Sequence, residues 1–482
     1  MRGDMTKGRE WKHILLFSLP IMAGSFLQQL YSTIDGIVVG NYISSSPYIR
    51  DCAVAAVGNG GVLAMVFLSA AMGLGAGAGI MVAQYFGAKR EEDMHSACTT
   101  SLILLTAVGA VLSMIAVVFI RPISATLLGI DDPDILDMTV SFLRVYCLGL
   151  TFQFAYNCVA SILRGVGDSK ATLYFLLIST VLNMILDLVF VIVFHWGVAG
   201  AALGTVISQV TCAAVSLIYM FKKYPIFQFR RGESPFVMEK CVVGLKLGLP
   251  ATLQQLIISV GNVFLQRLIN SFGEITISAV TVGLRVQNYA TVPPGGLNIA
   301  ISTFTGQNLG AGKPERVRRG WRYTAVMNVG ICIALSFVTY TLAPQLSSLF
   351  GISADAQAQS VEYIRFMAMT AFTLAFYWSF SGVLQGAGDI LFATLASLTS
   401  LGIRVAVAYA MAYWWGVGYA STWYSIPIGW AFGMILVAIR YFRGHWRDKA
   451  IVELPGRKTM LEKELLEAEQ AEMIQEESEE IL

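Results

Sequence analysis

Long apolar stretches alternate along the chain with short segments that are rich in charged residues, proline or glycine. A helix needs about 20 mostly apolar residues to cross the hydrocarbon core of a bilayer. The stretches that reach this length are 13–42, 53–86, 95–120, 135–163, 171–194, 198–221, 240–270, 276–308, 320–343, 358–384, 391–414 and 417–441. Alternation with a period of two is absent, which argues against a β-barrel. The pattern predicts an all-α polytopic membrane protein with twelve transmembrane helices.

The composition supports a location in the bilayer. Of the 482 residues, 56% are hydrophobic and 13% are charged, whereas globular proteins carry about 25% charged residues. The mean hydropathy of +0.64 excludes a cytosolic enzyme, a disordered chain and a secreted disulfide scaffold. A net charge of +2 gives no reason to expect nucleic acid as a partner. Seven cysteines without a CxxC pair and four histidines without HExxH spacing predict neither a disulfide framework nor a zinc site.

Lysine and arginine are distributed unevenly between the two sets of loops. Twenty-five of them fall before the first apolar stretch, in the even-numbered loops and in the C-terminal tail, against Arg50 and Arg121 in the odd-numbered loops. Cytoplasmic loops of membrane proteins carry the excess of positive charge. We therefore expect both termini to be cytoplasmic, and we expect the chain to lie in a bacterial cytoplasmic membrane.

The second half of the chain repeats five short motifs of the first half in the same order, at offsets that drift from 230 to 219 residues. The pairs are Ser18-Leu19-Pro20 with Gly248-Leu249-Pro250, Gln84-Tyr85-Phe86-Gly87-Ala88 with Gln307-Asn308-Leu309-Gly310-Ala311, Phe142-Leu143-Arg144 with Tyr363-Ile364-Arg365, Leu163-Arg164-Gly165-Val166-Gly167-Asp168 with Leu384-Gln385-Gly386-Ala387-Gly388-Asp389, and Trp196-Gly197-Val198 with Trp415-Gly416-Val417. Such a series indicates an internal duplication. Because each half holds six spans, we expect two six-helix lobes related by a parallel pseudo-twofold repeat around a central cleft. This organisation suits a secondary transporter that works by alternating access.

The duplication and the composition divide the chain into five segments. These are an N-terminal cytoplasmic segment (1–12), an N-terminal lobe (13–221), a cytoplasmic linker (222–239), a C-terminal lobe (240–442) and a cytoplasmic tail (443–482). The tail is acidic, because its last part, 459–482, contains nine Glu against one Lys. A solvated tail explains this composition, and a regulatory or docking role is the alternative.

Polar residues that could bind a cation lie inside the apolar stretches of the N-terminal lobe. Asn183 and Asp187 are four residues apart, so they share one face of the fifth span. Asp35 follows Pro20 by fifteen residues, about 22 Å along a straight helix, and would meet them if spans one and five are neighbours. Ionisable groups at membrane depth cost a few kcal/mol and are functional candidates by default. Carboxylates placed there could carry a proton, or ligate a hard cation together with the Asn183 carbonyl and a hydroxyl such as that of Thr205.

The repeated motifs resemble those of the multidrug and toxic compound extrusion (MATE) family. The likeness is carried by Pro293-Pro294-Gly295-Gly296, by the run Gly306–Arg316, by the two GxGD turns and by the Leu-Pro that opens each half. The resemblance is closest to the DinF-like branch. It implies a secondary active antiporter that exports small organic compounds, cationic or amphipathic, in exchange for H⁺ or Na⁺.

The resemblance also implies a site. In the DinF-like branch, the residues that form the cation-responsive site match Asp35, Asn183, Asp187 and Thr205 of this sequence. These four residues are therefore the candidates for cation coupling, and the candidate ligands if the ion is Na⁺. A polar packing network without coupling is the alternative.

The equivalent positions of the second half carry no acid. At the offset of 221, Asn183 maps to Arg404 and Asp187 maps to Ala408. The NorM-type branch of the family has acids in this lobe. Because this sequence has none at the equivalent positions, coupling through the C-terminal lobe is not expected. The C-terminal lobe also has neutral polar side chains inside its apolar stretches. They either touch substrate or hydrogen-bond across helices, and they are Gln254, Gln255, Gln287 and Asn288. Arg285 and Arg404 either line a wet cavity or neutralise an acid, and in the cleft they would disfavour a purely cationic substrate.

Proline and glycine mark candidate sites of bending or close packing. Pro20 removes a helix hydrogen bond near the start of span one and is a candidate hinge. We hypothesise that bending at Pro20–Gly24 accompanies protonation of Asp35 and closes the cavity of the lobe. In span two, the glycines that indicate close packing or a flexible stretch are Gly73, Gly75, Gly77 and Gly79.

Other functional classes fit these residues less well. The patterns HExxH, GxSxG and GxxxxGK[ST] are absent, so neither an enzyme nor ATP hydrolysis within the chain is expected. The alternative transporter is a flippase for lipids or lipid-linked oligosaccharides from a related superfamily, which would require a strongly cationic cavity. We expect no cofactor beyond the coupling ion, and a small-molecule substrate and the bilayer as partners. No obligatory protein partner is evident, which predicts a functional monomer.

Overall fold

The structure is a computed structural model that describes residues 3–42, 47–128, 130, 132–230 and 232–452. Within these ranges, the side chains of 31–42, 47, 50, 51, 127 and 128 are outside the description. The acidic segment 459–482 also lies outside the described residues, so its role stays a prediction.

The described chain folds into fourteen α-helices joined by short turns. Those of the first half are α1 (Glu10–Tyr42), α2 (Pro47–Ala88), α3 (Glu91–Leu128), α4 (Pro133–Leu148), α5 (Leu150–Gly165), α6 (Ser169–Asp187) and α7 (Gly197–Lys223). Those of the second half are α8 (Met238–Asn270), α9 (Glu274–Gly310), α10 (Pro314–Thr341), α11 (Ala343–Ser348), α12 (Ala354–Ala387), α13 (Ile390–Tyr413) and α14 (Ser421–Arg443).

The predicted twelve spans correspond to long helices of the structure. Among the described helices, ten are long and apolar enough to cross a membrane, and α4 with α5 forms an eleventh, bent span. The remaining long helix is α9, whose 37 residues extend about 55 Å at 1.5 Å per residue. Its apolar stretch is interrupted by Arg285, Gln287 and Asn288. The prediction of an all-α membrane protein with twelve spanning helices is confirmed.

Two spans of the N-terminal lobe deviate from straight α-helices. The axes of α4 and α5 differ by 49° at Gly149, where a Cβ atom would collide with the side-chain oxygen of Gln209. After Asp187, α6 continues as a π-helix over Leu188–Val193. This π-turn lies in the interval between Asp187 and Trp196, in which the repeat offset changes from 221 to 219.

The helices form two lobes, α1–α7 and α8–α14. In the first lobe, α2 and α3 pack on α5, and α6 packs on α1 and α7. In the second lobe, α9 packs on α12, and α13 packs on α14. The lobes meet mainly along α2 with α8, α2 with α9 and α1 with α9, and smaller contacts join α3 with α8 and α1 with α10. The predicted arrangement of two six-helix lobes is confirmed.

Each end of the described chain packs against the opposite lobe. Met5 and Ile14 lie in a hydrophobic cluster with Leu297 and Phe304 of the C-terminal lobe. Val452 lies in a cluster with Met81 of the N-terminal lobe. The chain ends therefore connect the lobes as well as the helix pairs do.

The four alternating glycines of α2 serve close packing on two sides of the helix. Added Cβ atoms at Gly73 and Gly77 would collide with backbone atoms of α8, and those at Gly75 and Gly79 would crowd α5. Within each pair the spacing is four residues, so two faces of small residues are interleaved on one helix. As a result, α2 fits between its own lobe and the opposite lobe.

Candidate functional site

Asn183 and Asp187 form a hydrogen-bonded pair inside the N-terminal lobe. The Nδ2 atom of Asn183 donates to Oδ1 of Asp187 over 3.1 Å. Asn183 is 4% exposed and Asp187 is 2% exposed. Their spacing of one helical turn on α6 brings them together as the sequence predicts. The pair places a carboxylate and an amide in an otherwise apolar helix.

The carboxylate of Asp187 packs against the backbone of α7. A Cβ atom at Gly204 would lie 2.5 Å from Oδ1 of Asp187, so only glycine leaves room for the carboxylate here. The next residue, Thr205, is half-buried, and its hydroxyl donates to the carbonyl of Ala201 over 3.2 Å. Thr205 is thus adjacent in the chain to the wall of the site, while its hydroxyl is engaged with its own helix.

The backbone of Asp35 belongs to α1, but its side chain lies outside the described residues. Asp35 is expected to approach Asn183 and Asp187 if spans one and five are neighbours. These spans are α1 and α6, which pack against each other. The convergence of the side chains itself stays a prediction. Pro20 lies inside α1, which continues as helix on both sides of it.

A repeated hydrogen bond establishes the equivalence of α6 and α13. Ser179 Oγ donates to the carbonyl of Ser208 over 3.3 Å, and Ser400 Oγ donates to the carbonyl of Gly429 over 2.6 Å. Donors and acceptors both differ by 221 residues. One helical turn after these serines stand Asn183 in the first lobe and Arg404 in the second, as predicted.

Arg404 lies inside the C-terminal lobe without a carboxylate partner in the described part of the chain. Its Nε atom is buried and makes no hydrogen bond to any described residue. The structure therefore places Arg404 within the lobe but does not show it neutralising an acid.

Two of the neutral candidates of the C-terminal lobe hydrogen-bond across helices. Gln254 on α8 donates to Ser397 Oγ over 2.7 Å and accepts from Thr394 over 3.5 Å. Gln287 on α9 accepts a hydrogen bond from the hydroxyl of Tyr363. These contacts are the ones expected of interhelical polar side chains.

The remaining three candidates of this lobe have exposed side chains, and they are Gln255, Asn288 and Arg285. The guanidinium carbon of Arg285 lies 6.0 Å from the ring centroid of Phe350. This separation is within the range of a weak cation–π contact. The structure does not bring these three side chains together with Gln254 or Gln287.

An apolar cavity lies beside Tyr363 in the C-terminal lobe. Its walls come from α9, α10, α12 and α14, and contain no charged side chain. Polar groups on the wall include Gln287, Thr291 and Ser336. The space is suited to an uncharged aromatic or aliphatic group.

We call one end of the molecule the basic end. It carries both ends of the described chain and the turns α2–α3, α5–α6, α7–α8 and α9–α10. There, two glutamines join the lobes symmetrically. Gln84 Nε2 donates to the carbonyl of Gly386 over 3.1 Å, and Gln307 Nε2 donates to the carbonyl of Gly165 over 2.9 Å. Each glutamine thus binds the GxGD turn of the opposite lobe. The cleft is closed at this end.

The same two glutamines hold the chain ends. Oε1 of Gln307 accepts from the backbone N–H of Met5 over 2.9 Å, and Oε1 of Gln84 accepts from the backbone N–H of Ile451 over 2.7 Å. The N-terminal end is also fixed by Glu10, which pairs with Arg316 at 3.2 Å and with Arg319 at 3.0 Å. Both chain ends therefore cross the interface between the lobes.

The aspartates of the two GxGD turns anchor the last helix of each lobe. Asp168 pairs with Lys223 over 2.8 Å, and Asp389 pairs with Arg440 over 2.7 Å. Burial alone would raise the pKa of Asp168, but hydrogen bonds from Lys223 and Tyr219 outweigh it and hold the pKa below its usual value. The turns are therefore structural joints of the lobes.

The sequence contained a signal for the closure at the basic end, although no role followed from it. Gln84 and Gln307 open matching motifs, and Gly165 and Gly386 belong to matching GxGD turns. The repetition of both partners in both halves is the pattern that a symmetric contact between lobes leaves in a sequence.

The chain matches the MatE family model over residues 20–189 and again over 250–410. The two matched ranges begin at Pro20 and Pro250, the opening prolines of the repeat. The model therefore recognises the two lobes separately, and together the matches cover more than half of the chain.

Relatives of similar length carry multidrug transport names. The chain is 27% identical to the probable multidrug resistance protein YoeA of Bacillus subtilis, with 93% of this chain and 97% of that protein covered. It is 24% identical to the multidrug export protein MepA of Staphylococcus aureus, with 84% and 88% covered. A solved outward-facing structure of a multidrug resistance MATE family transporter superposes with a TM-score of 0.84 at 26% identity, covering 93% of this chain and 98% of that one. The chain belongs to the MATE family of membrane transporters.

Proposed function

We propose that this protein is a secondary active antiporter that exports small amphipathic organic compounds in exchange for H⁺ or Na⁺. The names of its multidrug relatives support the class of cargo. The observation that carries the proposal of ion coupling is the buried pair of Asn183 and Asp187 in the N-terminal lobe.

A buried carboxylate gives the protein a means to couple ion binding to shape. Ionised Asp187 is costly in a low-dielectric lobe, and a proton or Na⁺ removes that cost. The lobe conformation that best shields the site is then favoured only when the ion is bound. Asn183 and, by the resemblance, Asp35 and Thr205 would supply the remaining oxygen ligands for Na⁺.

Alternation of access requires that the closed basic end opens. Each net hydrogen bond contributes about 0.5–1.5 kcal/mol, so the bonds from Gln84 and Gln307 to the opposite lobe together amount to a few kcal/mol at most. Differential binding of an ion or substrate can shift an equilibrium of that size. These two hydrogen bonds are therefore of a strength that ion or substrate binding can reverse.

The orientation of the protein follows from the distribution of charge. The basic loops and both described chain ends lie at the closed end. By the positive-inside rule this end faces the cytoplasm. The proposed state is then closed toward the cytoplasm of a bacterial cytoplasmic membrane.

A flippase for lipids or lipid-linked oligosaccharides is less well supported. It would need a strongly cationic cavity, whereas the cavity beside Tyr363 has no charged wall residue. Arg404 is one partly buried cation and does not form such a surface.

Efflux from proteoliposomes tests the proposal. Purified protein is reconstituted with rhodamine 123, and efflux is followed under a proton gradient and, separately, a sodium gradient. Asp187→Asn keeps the shape of the side chain but removes its charge, and should abolish the response to the gradient that drives the wild type. The matched control is Glu91→Gln, an exposed acid at the start of α3. Gradient-driven efflux that persists in Asp187→Asn would contradict the site.

A further inference from the structure

Arg404 occupies the position in the C-terminal lobe that Asn183 occupies in the N-terminal lobe. It follows Ser400 by one helical turn on α13, and its Cβ lies close to α14, 2.9 Å from where a Cβ at Gly429 would stand. The hydrogen bonds of Ser179 and Ser400 fix this equivalence independently of the sequence alignment. The second lobe therefore has a cation at the place where the first lobe has its polar site.

The acidic residues of the helices around Arg404 are committed elsewhere or lie at helix ends. Glu362 on α12 accepts a hydrogen bond from Tyr424 over 2.8 Å, and Asp389 pairs with Arg440. Glu239 on α8 pairs with Lys240, and Asp355 is exposed in the first turn of α12. One turn beyond Arg404, where the first lobe has Asp187, α13 has alanine. The described part of the chain thus supplies no counter-ion.

A cation at membrane depth costs several kcal/mol unless a negative group neutralises it. Within the described chain, an unpaired N–H donor lies on α14, which packs against α13. Trp423 is fully buried and its Nε1 has no partner among the described residues, and its ring packs edge-on against Tyr363 with centroids 5.6 Å apart. An arginine without a carboxylate partner and an N–H donor without an acceptor are both groups that an anion would satisfy.

An apolar space adjoins these donors. Arg404 packs beside Gly429 of α14, and the next residue of that helix, Trp430, contributes to the wall of the apolar cavity together with Tyr363. Met367 of α12 extends the same wall. A ligand with an anionic group and a flat or aliphatic body would match both features.

We propose that Arg404 binds the anionic group of an amphipathic organic ligand, a carboxylate, sulfonate or phosphate, within the C-terminal lobe. The proposal rests on the proposed function in regarding this ligand as cargo. The two lobes then have different roles. The N-terminal lobe binds the coupling cation, and the C-terminal lobe selects substrates that carry a negative charge, zwitterions included.

Equilibrium binding without any ion gradient tests the proposal. The full chain is placed in nanodiscs of neutral phosphatidylcholine, and fluorescence polarisation is measured with rhodamine 110 and with its methyl ester, rhodamine 123. The two dyes share one aromatic body and differ in the free carboxylate. Arg404→Gln should weaken the binding of rhodamine 110 about tenfold or more and change that of rhodamine 123 by less than about twofold. Arg404→Lys, which keeps the charge, should retain part of the affinity.

The control variant is Arg267→Gln, since Arg267 is an exposed arginine in the last turn of α8 of the same lobe. It should bind both dyes like the wild type. An equal effect of Arg404→Gln on the two dyes, or no effect on rhodamine 110, would overturn the proposal. Because no gradient is applied, this result is independent of whether Asp187 couples transport.

Two further arms use the unmodified chain. Naphthalene-2-sulfonate should displace rhodamine 110, whereas the neutral naphthalene-2-sulfonamide should not. Equal displacement by the two compounds would contradict an anion site. This result does not depend on whether Arg404→Gln folds. Nanodiscs that contain phosphatidylglycerol separate a lipid phosphate from a soluble anion as the source of the charge. Competition by this lipid that disappears in Arg404→Gln would assign the site to a headgroup, and its absence would assign the site to soluble compounds.

Discussion

The N-terminal and C-terminal lobes make the same contacts at the basic end, but the polar side chains farther along their fifth spans differ in charge. At the basic end, Gln84 and Gln307 bind the GxGD turns of the opposite lobes, and the chain ends bind the two glutamines. On α6 an amide and a carboxylate are paired, whereas the equivalent turn of α13 carries an arginine and an alanine.

This difference separates the parts of a duplicated transporter that need symmetry from those that do not. A cleft between two lobes closes evenly only if both lobes contribute equivalent contacts. An ion site and a substrate site need different charges, so one copy of the same helical turn can serve each. The predictions below test this division, beginning with the largest effect.

Removing the charge of Asp187 and removing that of Arg404 should have different consequences. In Asp187→Asn, the ratio of efflux with and without an ion gradient should fall to unity, since the group that takes up the ion is gone. In Arg404→Gln, that ratio should stay at the wild-type value for rhodamine 123. The measurement is proteoliposome efflux at matched protein content. A loss of gradient response in both variants would show that coupling is shared by the lobes.

The glycines at the basic end should be equally sensitive in both lobes. A Cβ atom at Gly87 would collide with the carbonyl of Gln307, and one at Gly310 would collide with the carbonyl of Gln84. Overpacking of this kind costs about 1–3 kcal/mol, so Gly87→Ala and Gly310→Ala should both favour the open basic end. Faster hydrogen–deuterium exchange in residues 3–8 would report the opening. Gly61→Ala is the control, because Gly61 of the same α2 helix has open space around it.

An acid introduced beside Arg404 should abolish the difference between the lobes. Ala408 is fully buried one turn after Arg404, so Ala408→Asp would supply the counter-ion that the lobe lacks. We expect the affinity for rhodamine 110 to fall about tenfold, since the new carboxylate competes for the guanidinium. Ala408→Asn has nearly the same shape and no charge, and should reduce the affinity less. Equal losses in the two variants would indicate steric damage and not competition for charge.

The smallest effect concerns the GxGD turn of the N-terminal lobe. The pKa of Asp168 is lower in the folded protein than in an unfolded chain. Its stabilising contribution is therefore present above about pH 4, the pKa of an unfolded aspartate, and is lost as the pH falls through the folded pKa. In detergent, acidification should lower the melting temperature of the wild type more than that of Asp168→Asn, by about 1–3 °C. Parallel curves for the two proteins would exclude this role of Asp168.

Some side-chain roles could be predicted from sequence because they depend on residues one helical turn apart. The pair of Asn183 and Asp187 is of this kind, and so is the mapping of Asn183 onto Arg404 through a constant offset. By contrast, the hydroxyl that donates to Gln287 belongs to no neighbour in sequence but to Tyr363, 76 residues away. Such partners depend on how α9 and α12 rotate against each other, which hydropathy does not encode.

The alternating glycines of α2 show the same limit. In sequence they do not form one face with a spacing of four, yet the structure resolves them into two such faces, one toward α5 and one toward α8. The sequence predicts that the helix packs closely, but not that it is enclosed by two lobes. That information resides in the arrangement of helices far apart in the chain.

By itself, the sequence determined the bilayer location, the spans, the duplication and the pair of Asn183 and Asp187, because each depends on local composition, on helical periodicity or on comparison of one half with the other. Only the tertiary structure decided that the chain ends cross to the opposite lobes, that Gln84 and Gln307 close the basic end and that Arg404 lacks a counter-ion within the described chain. The contacts of the chain ends and of the two glutamines join residues that are 142 to 367 positions apart, and they form only when complete lobes pack together.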